Sequence, residues 1–494
     1  MKKIIYIVLF SLWTVSCTTT KKYNDIEYTI SPKLDETTPV LQVNFDYKSD
    51  DKGLITLRYE NDSWGDRDIF NCINNLEVVP KPESIDFVKD SSQITIKTAP
   101  NRRHTIQYEI KQDYKGLPLN EKRYRPMMDS SYFHLLGMRL FIIPERVFPS
   151  DSAKAKIKIN FSPKGIKGLY HSSFGENYSQ TIDVVREDLY ASFFIGGDFK
   201  KHTFILEKDT VYFLTRGNWK SFNDQDIFQL LKETITSQNK FWNDPRSGNF
   251  SVSLVPTYET WYSVGGSGFS TSFISFASNN DKVFLNQMRW LYNHELLHKW
   301  MGRTILNENE VEQYWFSEGF TDYYSYKLQL KSDYLQITEY VDILNKEVII
   351  PHYQDPVKNI PNSQLTFQEY WSDYAKYQKL PYRRGLLYAF LIDNQIKKAS
   401  NHTQSLDNLM QEFLELALKD KDFRLNQSVF LERLTKFLNH PTLEIEFERY
   451  INKGELINFE NQIPVGLLIE YKDNVPVFKI DPNHTKELEI ILKL

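Results

Sequence analysis

The stretch AKAKIKINF, which runs from Ala153 to Phe161, limits the local fold more than any other feature of the sequence. Apolar residues take every second position, and lysines and an asparagine take the positions between them. A β-strand places alternate side chains on opposite faces, so this pattern predicts a strand with one buried face. The same alternation recurs at Leu41–Tyr47 and Ile106–Ile110. We therefore predict an antiparallel β domain over residues 25–162, arranged as a sandwich.

Helical patterns replace this alternation from about Asn223 onward. Apolar residues between Ile227 and Ile235 recur three and four positions apart, and Asn223 or its neighbour can cap such a helix. Two further helical patterns cover Val283–Arg303 and Val311–Leu330. Helices then dominate to about Tyr450, and the residues after 458 predict only short strands and turns.

The composition excludes some classes of partner. A formal net charge of -4 gives no basic surplus, so we expect no nucleic acid partner. The chain has only 2 cysteines, Cys17 and Cys72, which cannot supply a disulfide framework or a cysteine-based metal site in the mature chain. With 494 residues, of which 41% are hydrophobic, the chain is long enough to bury a sizeable core.

The first residues have the pattern of an export signal. Two lysines precede the apolar run Ile4–Val15, and a serine and Cys17 follow it. The run is too short for a comfortable membrane span. A small residue before cysteine resembles a bacterial lipoprotein signal, although Thr14 stands where that motif usually has an aliphatic residue. This resemblance implies that residues 1–17 are a signal, that Cys17 is lipidated, and that the protein is anchored in the cell envelope, at the periplasm or outer membrane. A plain cleaved signal and a secreted protein are the alternative.

The stretch NHELLHKWMGR, Asn293–Arg303, predicts a metal site. His294 and His298 are four residues apart, so a helix would place both imidazoles on one face. Glu295 lies beside them, where a carboxylate can act as general base on a water molecule. A chance occurrence of this HExxH pattern is expected in about one chain in a hundred of this composition.

A zinc ion needs a third protein ligand and an open fourth position. Glu318 supplies a carboxylate in the stretch WFSEGFTDYY, Trp315–Tyr324, on the next predicted helix. Asp322 follows one helical turn later and can accept the outer N–H of a ligand histidine. A solvent-facing charge is an equally weighted interpretation of Asp322.

These two stretches resemble the gluzincin metallopeptidases. HELLHKWMG is similar to the alanyl aminopeptidase and leukotriene-A hydrolase family, and WFSEGFTDYY is similar to the glycyl aminopeptidase family. A third stretch, PYRRGLLYAFLIDNQI at Pro381–Ile396, resembles the family segment that carries a catalytic tyrosine. The resemblance implies that Tyr382 hydrogen-bonds the oxyanion and that Gly265 and Gly266 line the peptide groove. Arg383 and Arg384 lie near enough to meet a substrate carboxylate, although a solvated surface role is favoured for at least one.

The resemblance also implies a multidomain α+β fold, with an N-terminal antiparallel β domain, a thermolysin-like zinc catalytic domain and a C-terminal helical domain that carries Tyr382. The expected divisions are the signal at 1–17, the β domain at 25–162, the catalytic domain at 168–330, the helical domain at 331–457 and a short C-terminal extension at 458–494.

One departure from the family pattern concerns the glycine-rich strand before the histidines. Related peptidases usually carry a glutamate there that binds the free amino terminus of the substrate. The segment Gly265–Ser272 reads GGSGFSTS and contains no acid, and Glu259 would need a different register. Its backbone can still pair with an extended peptide. The sequence therefore supports zinc hydrolysis better than it supports aminopeptidase specificity.

The expected function is that of a zinc-dependent peptidase, aminopeptidase-like, acting on a peptide or protein substrate. One Zn²⁺ ion is held by His294, His298 and Glu318 with water in the fourth position, Glu295 is the general base, and Tyr382 stabilises the oxyanion. An endopeptidase or other zinc hydrolase without amino-terminal recognition is one alternative. A non-catalytic, peptide-binding surface lipoprotein on a peptidase scaffold is another.

Overall fold

The structure is a computed structural model that describes residues 25–63, 65–207, 209–244, 246, 248–438 and 442–494. The predicted signal and Cys17 lie outside the described residues. Within those ranges, no helix is both long enough and apolar enough to cross a bilayer.

The N-terminal region is built from short strands that share one hydrophobic core. Its strands are β1 (Ile26–Lys33), β2 (Val40–Lys48), β3 (Leu54–Arg58), β4 (Ile73–Val79), β5 (Ser84–Val88), β6 (Gln93–Lys97), β7 (Arg103–Lys111), β8 (Met127–Met128), β9 (Tyr132–Leu136), β10 (Ile143–Pro144), β11 (Lys154–Phe161), β12 (Leu169–Ser172), β13 (Ser179–Val185) and β14 (Phe193–Gly197). Two short helices, α1 (Gly137–Leu140) and α2 (Arg186–Tyr190), interrupt them.

These strands form one six-stranded and two four-stranded sheets in the described part of the chain. The strand orders are β13-β11-β1-β2-β7-β4, β10-β3-β6-β5 and β12-β14-β9-β8. All neighbours are antiparallel except β1 and β11, which pair in parallel. In β11, Ala155, Ile157, Ile159 and Phe161 are buried, as the alternation predicts. The predicted antiparallel β region is confirmed, with that one parallel pair as an exception.

The β region extends beyond its predicted end at residue 162. β13 pairs with β11, and β14 pairs with β9, so strands as late as Gly197 belong to the N-terminal sheets. The glycine and proline residues of Ser162–Gly168 form a turn within the region, not a boundary. Strand pairing therefore places the end of this region near residue 197.

A mixed five-stranded sheet follows, in the order β15-β16-β17-β19-β18. Its strands are β15 (Lys200–Leu206), β16 (Asp209–Thr215), β17 (Phe250–Thr257), β18 (Val264–Gly268) and β19 (Ser272–Ser278). β16, β17 and β19 are parallel, and the edge strand β18 runs antiparallel to β19. The helices α3 (Asp224–Trp242) and α4 (Leu285–Glu295) accompany the sheet, and Asn223 caps α3 in a capping box with Asp226.

The two predicted helices that carry the site residues are both interrupted. α4 ends at Glu295 and continues as a 3₁₀ turn over Leu296–Lys299, so the helix does not reach Arg303. The second is divided at Glu318 into α5 (Tyr314–Ser317) and α6 (Gly319–Lys331).

The remaining chain is a helical region with a second large core. Its helices are α7 (Ile337–Ile343), α8 (Ile350–Gln354), α9 (Phe367–Ser372), α10 (Tyr374–Tyr377), α11 (Leu380–Ala399), α12 (Leu406–Lys419), α13 (Gln427–Leu434) and α14 (Leu443–Phe447). π-Helical turns at Leu344–Ile349 and Glu448–Asn452 lie among them. The C-terminal helical region is therefore confirmed.

The last residues belong to the same core and are not a separate extension. A hairpin of β20 (Leu467–Lys472) and β21 (Val475–Ile480) precedes the helix α15 (Thr485–Lys493), which the sequence analysis missed. Asn345 binds the backbone of Phe478 twice, donating from Nδ2 to its carbonyl and accepting from its N–H, both at 2.8 Å. These bonds fix the hairpin to the helices.

Candidate active site

Three ligand atoms meet where α4, its 3₁₀ extension and the α5–α6 junction come together. The Nε2 atoms of His294 and His298 lie 3.2 Å apart, and Glu318 Oε2 lies 3.2 Å from the first and 3.6 Å from the second. Tetrahedral zinc with bonds of about 2.0–2.1 Å separates its ligand atoms by about 3.3 Å. The observed spacings therefore fit one zinc ion held by two imidazoles and a carboxylate.

The outer nitrogen of each histidine has an acceptor, which orients the ring. His294 Nδ1 lies 2.8 Å from Asp322 Oδ1, and His298 Nδ1 lies 3.0 Å from the carbonyl oxygen of Met301. With the proton on Nδ1, each Nε2 presents its lone pair to the centre of the site. Asp322 also accepts a hydrogen bond from Trp290 Nε1 at 3.0 Å. Asp322 therefore faces the imidazole and is only slightly exposed, at 9%.

The electrostatics of the cluster favour a cation. Burial raises the pKa of Glu318, but the two imidazoles outweigh it and hold that pKa well below its usual value. Burial lowers the pKa of His294, but the carboxylates of Asp322 and Glu318 raise it to about 10. A metal ion must therefore displace protons from this site, and the two carboxylates compensate its charge.

Glu295 occupies the last position of α4, directly against the edge strand. A Cβ atom on Gly268 would lie 2.5 Å from the Glu295 carbonyl oxygen, so β18 passes this close only because the residue is glycine. Burial raises the pKa of the Glu295 side chain, and the neighbouring histidines partly oppose this. The structure thus brings a carboxyl group with raised proton affinity beside the metal ligands.

Gly265 and Gly266 lie on β18, the edge strand that passes the site. A Cβ on Gly266 would lie 2.5 Å from the Phe273 ring, and one on Gly265 would lie 3.2 Å from Asn120 Oδ1. The absent side chains let β18 lie between the helices and the N-terminal region. Gly265 therefore packs against Asn120 of the N-terminal region, and Gly266 packs against Phe273 on β19.

Tyr382 stands in the first turn of α11 and faces the metal ligands. Its ring is stacked on that of His294, with centroids 5.6 Å apart and an interplanar angle of 16°. Burial, and then the charge of Glu318, raise the pKa of Tyr382 well above its usual value. The phenol therefore keeps its proton at neutral pH and can donate it in a hydrogen bond. Tyr382 and Asp322 line a cavity of about 670 Å³.

A contact between two glycines sets the distance between α6 and α11. A Cβ on Gly319 would lie 2.4 Å from Gly385 Cα, and a Cβ on Gly385 would lie 1.8 Å from the Trp315 carbonyl oxygen. Gly319 follows Glu318 directly, and Gly385 is one helical turn after Tyr382. The close approach of these backbones fixes the carboxylate ligand relative to the phenol.

The two arginines after Tyr382 are held by other groups. Arg383 forms an ion pair with Asp355 at 3.3 Å. Arg384 is buried and donates from Nη2 to the carbonyl oxygens of Ile360 and Lys358, at 2.6 and 3.1 Å. Arg384 therefore has no surface role, because its guanidinium donates to backbone carbonyls inside the helical region, and Arg383 is the more exposed of the two.

The N-terminal region contacts β18 and the loop before it, which the sequence did not predict. Asn120 donates from Nδ2 to Ser263 Oγ at 2.7 Å, and Tyr124 Oη lies 2.7 Å from Ser267 Oγ on β18. The backbone N–H of Asn120 also donates to the carboxylate of Glu259. Glu259 is 5% exposed, so this acid is held within the interface between the two regions. No local sequence pattern signals contacts between residues so far apart in the chain.

Comparison with known proteins agrees with this geometry. Residues 287–385, which include the three candidate metal ligands, Glu295 and Tyr382, match the family model of the M61 glycyl aminopeptidases. The predicted resemblance to gluzincin metallopeptidases is confirmed. The comparison with curated proteins gave no match.

Solved structures show the same fold at low sequence identity. An aminopeptidase N family protein from Idiomarina loihiensis is 15% identical, with a TM-score of 0.72 over 91% of this chain and 80% of that one. Aminopeptidase A from Legionella pneumophila, solved with aspartic acid, is 12% identical, with a TM-score of 0.51 over 94% of this chain and 56% of that one. The chain thus spans little more than half of the second protein.

Proposed function

We propose that this chain is a zinc-dependent peptidase on an aminopeptidase-like scaffold. The observation that carries the proposal is the ligand geometry, in which His294, His298 and Glu318 leave separations of 3.2 to 3.6 Å between their ligand atoms. The family match over residues 287–385 supports the same activity. The mixed sheet with α3 and α4 would form a thermolysin-like catalytic domain.

Zinc, when bound, supplies Lewis-acid chemistry that polarises a carbonyl oxygen and makes water a better nucleophile. Glu295 takes a proton from the attacking water and transfers it to the leaving nitrogen, a task that suits its raised pKa. Tyr382 donates a hydrogen bond to the carbonyl oxygen as negative charge develops on it. The backbone of β18 positions an extended peptide by pairing as an added strand.

The endopeptidase alternative is supported by one specific contact. Glu259 is the acid nearest in sequence to β18, and its carboxylate accepts from the backbone N–H of Asn120 inside the interface. Gly265–Ser272 itself contains no acid. A free amino terminus therefore lacks a carboxylate partner on this strand, so recognition of that terminus is not required by the proposal.

The location of the protein belongs to the proposal as well. The sequence pattern up to Cys17 supports a lipid anchor at that residue and a place in the cell envelope, with secretion as the alternative. Labelling with a radioactive fatty acid tests it, and the Cys17→Ser variant should take up no label.

The deciding experiment uses the purified chain without its first 17 residues. Zinc content is measured first, and cleavage is then followed on fluorogenic peptides with free and with blocked amino termini. Glu295→Gln should keep its zinc and lose about 10²- to 10⁴-fold in kcat. Removal of zinc by a chelator should abolish cleavage, and added zinc should restore it.

Each outcome separates the candidates. Cleavage of only the free peptides supports an aminopeptidase, and cleavage of the blocked peptides supports an endopeptidase. Zinc binding without cleavage of any peptide would favour the non-catalytic peptide-binding protein. Full activity in the Glu295→Gln variant would contradict the mechanism.

A further inference from the structure

Arg123 reaches the groove from the N-terminal region. It follows the 3₁₀ turn Asn120–Lys122, and its Nε lies 3.7 Å from where a Cβ on Gly265 would stand. Arg123 and Glu295 are also close enough for their charges to act on each other. A cationic side chain therefore lies over the edge strand at Gly265.

The position of the guanidinium is fixed, yet part of its donor capacity is left over. Nη1 donates to the carbonyl oxygen of Asn120 at 3.0 Å, and the central carbon lies 4.6 Å from the centroid of the Tyr124 ring. Nε is buried and has no hydrogen-bond partner among the described residues. Because Tyr124 is itself bonded to Ser267 on β18, the arginine keeps its place beside the groove.

The charged group that lies directly over β18 at Gly265 is the Arg123 guanidinium. The strand itself carries no acid, and one carboxylate oxygen of Glu259 accepts from the backbone N–H of Asn120. An ammonium group placed over Gly265 would meet the positive charge of Arg123. A carboxylate placed there would find an arginine, whose planar fork of donors matches that group.

The other basic side chains near the site do not offer a donor to a carboxylate beside β18. Arg383 is paired with Asp355, and Arg384 is bound to backbone carbonyls. Lys379 lies over the rings of Trp290 and Tyr382, 4.8 Å from each centroid, on the α11 side. Arg123 lies beside β18, and its buried Nε has no hydrogen-bond acceptor among the described residues.

We propose that Arg123 is a specificity residue that binds a carboxylate of the peptide substrate, so that the groove selects acidic peptides. This inference rests on the proposed peptidase function. The carboxylate has two possible sources, an Asp or Glu side chain within the peptide or the carboxyl terminus of the peptide. Peptides that differ only in one of these groups distinguish them.

The test compares kcat/KM for peptides blocked at both ends that carry Glu or Gln at successive positions. A matched series has a free or an amidated carboxyl terminus. We expect a preference of about tenfold or more for one carboxylate, mainly through KM. Arg123→Gln should reduce this ratio to about one, and Arg123→Lys should keep part of the preference.

The control variant is Arg146→Gln. Arg146 has the same kinds of partner, a carbonyl oxygen at Lys48 and the ring of Tyr47, but contacts neither β18 nor the metal ligands. It should leave the acid preference unchanged. Zinc content and thermal unfolding of each variant show whether it is folded.

Peptide binding makes the result independent of catalysis. In the zinc-loaded Glu295→Gln background, fluorescence anisotropy measures the affinity for acidic and neutral peptides with and without Arg123→Gln. Equal affinities for Glu and Gln peptides, or a preference that survives Arg123→Gln, would overturn the inference. If no peptide is cleaved but the acidic one binds through Arg123, the peptidase proposal fails, and Arg123 is then the carboxylate-binding residue of a non-catalytic peptide-binding protein.

Discussion

Two pairs of histidines lie in two regions of the molecule and have opposite protonation behaviour. His134 on β9 and His171 on β12 meet the mixed sheet, where their Nε2 atoms lie 3.1 and 2.8 Å from Ser253 Oγ and Ser251 Oγ. Burial lowers the pKa of His134 to about 3 and that of His171 to about 4.

One histidine of the metal-site pair, His294, is buried to a similar degree. His294 is 2% exposed, against 1% for His134, yet neighbouring carboxylates raise its pKa to about 10. The difference between His134 and His294 lies in the partners, because a serine hydroxyl cannot compensate an imidazolium charge and a carboxylate can. Beside His171, the Glu176 carboxylate lies 3.9 Å from Nδ1 and opposes the effect of burial only in part. Burial of a histidine therefore says little about function until its partners are known.

The largest expected effect is the difference in activity between a variant of the metal-site pair and a variant of the interface pair. His298→Ala removes a ligand, so we expect loss of zinc at ordinary concentrations and at least about a 10³-fold fall in kcat/KM, since the metal contributes several kcal/mol. His171→Gln should keep zinc and stay within about threefold in activity. Metal analysis and peptide hydrolysis check both. Equal loss of activity in the two variants would mean that both pairs serve catalysis.

The second-largest effect should be a loss of unfolding free energy in acid, caused by the histidines between the N-terminal sheets and the mixed sheet. The folded-state pKa values are about 4 for His171 and about 3 for His134. Between these values and pH 6.5, both histidines bind protons in the unfolded chain but not in the folded protein. Stability is therefore complete above pH 6.5 and falls below it, by up to about 1.4 kcal/mol per pH unit for each histidine. Urea unfolding of the zinc-loaded protein at pH 7 and pH 5.5 measures this, and His134→Gln should reduce the slope.

Asp322→Asn tests the carboxylate beside His294. The amide keeps the shape of the side chain but loses the charge that favours a proton on Nδ1, so we expect zinc affinity to fall by about 10- to 100-fold. Competition with a fluorescent chelator gives the affinity. Unchanged affinity would show that Asp322 matters only through its bond to Trp290.

The smallest effect concerns a hydroxyl at the interface. Ser253→Ala leaves His134 Nε2 without its partner at 3.1 Å, which should cost about 1 kcal/mol of unfolding free energy and no activity. Denaturant unfolding at pH 7 is the measurement. A loss of activity here would show that the sheet interface positions the site.

The sequence predicted the parts that local patterns encode. Alternation located the β region, and the spacing of His294 and His298 with Glu318 on the next helix named the three groups that meet in the structure. The break at Glu318 was not predicted, because the apolar pattern runs through it. The contacts of Asn120 with Glu259 and Ser263 could not be predicted either, because they join segments more than a hundred residues apart.

The contact between Gly319 and Gly385 has a consequence for how related genes are interpreted. Neither residue carries a functional group, yet a single methyl group at either would meet the opposite helix backbone at 2.4 Å or less. We expect a related chain that keeps all the proposed site residues, but has alanine at one of these two positions, to be inactive. A search based only on the proposed catalytic and metal-binding residues would classify such a chain as active. Searches of genomes for this activity should therefore require both glycines.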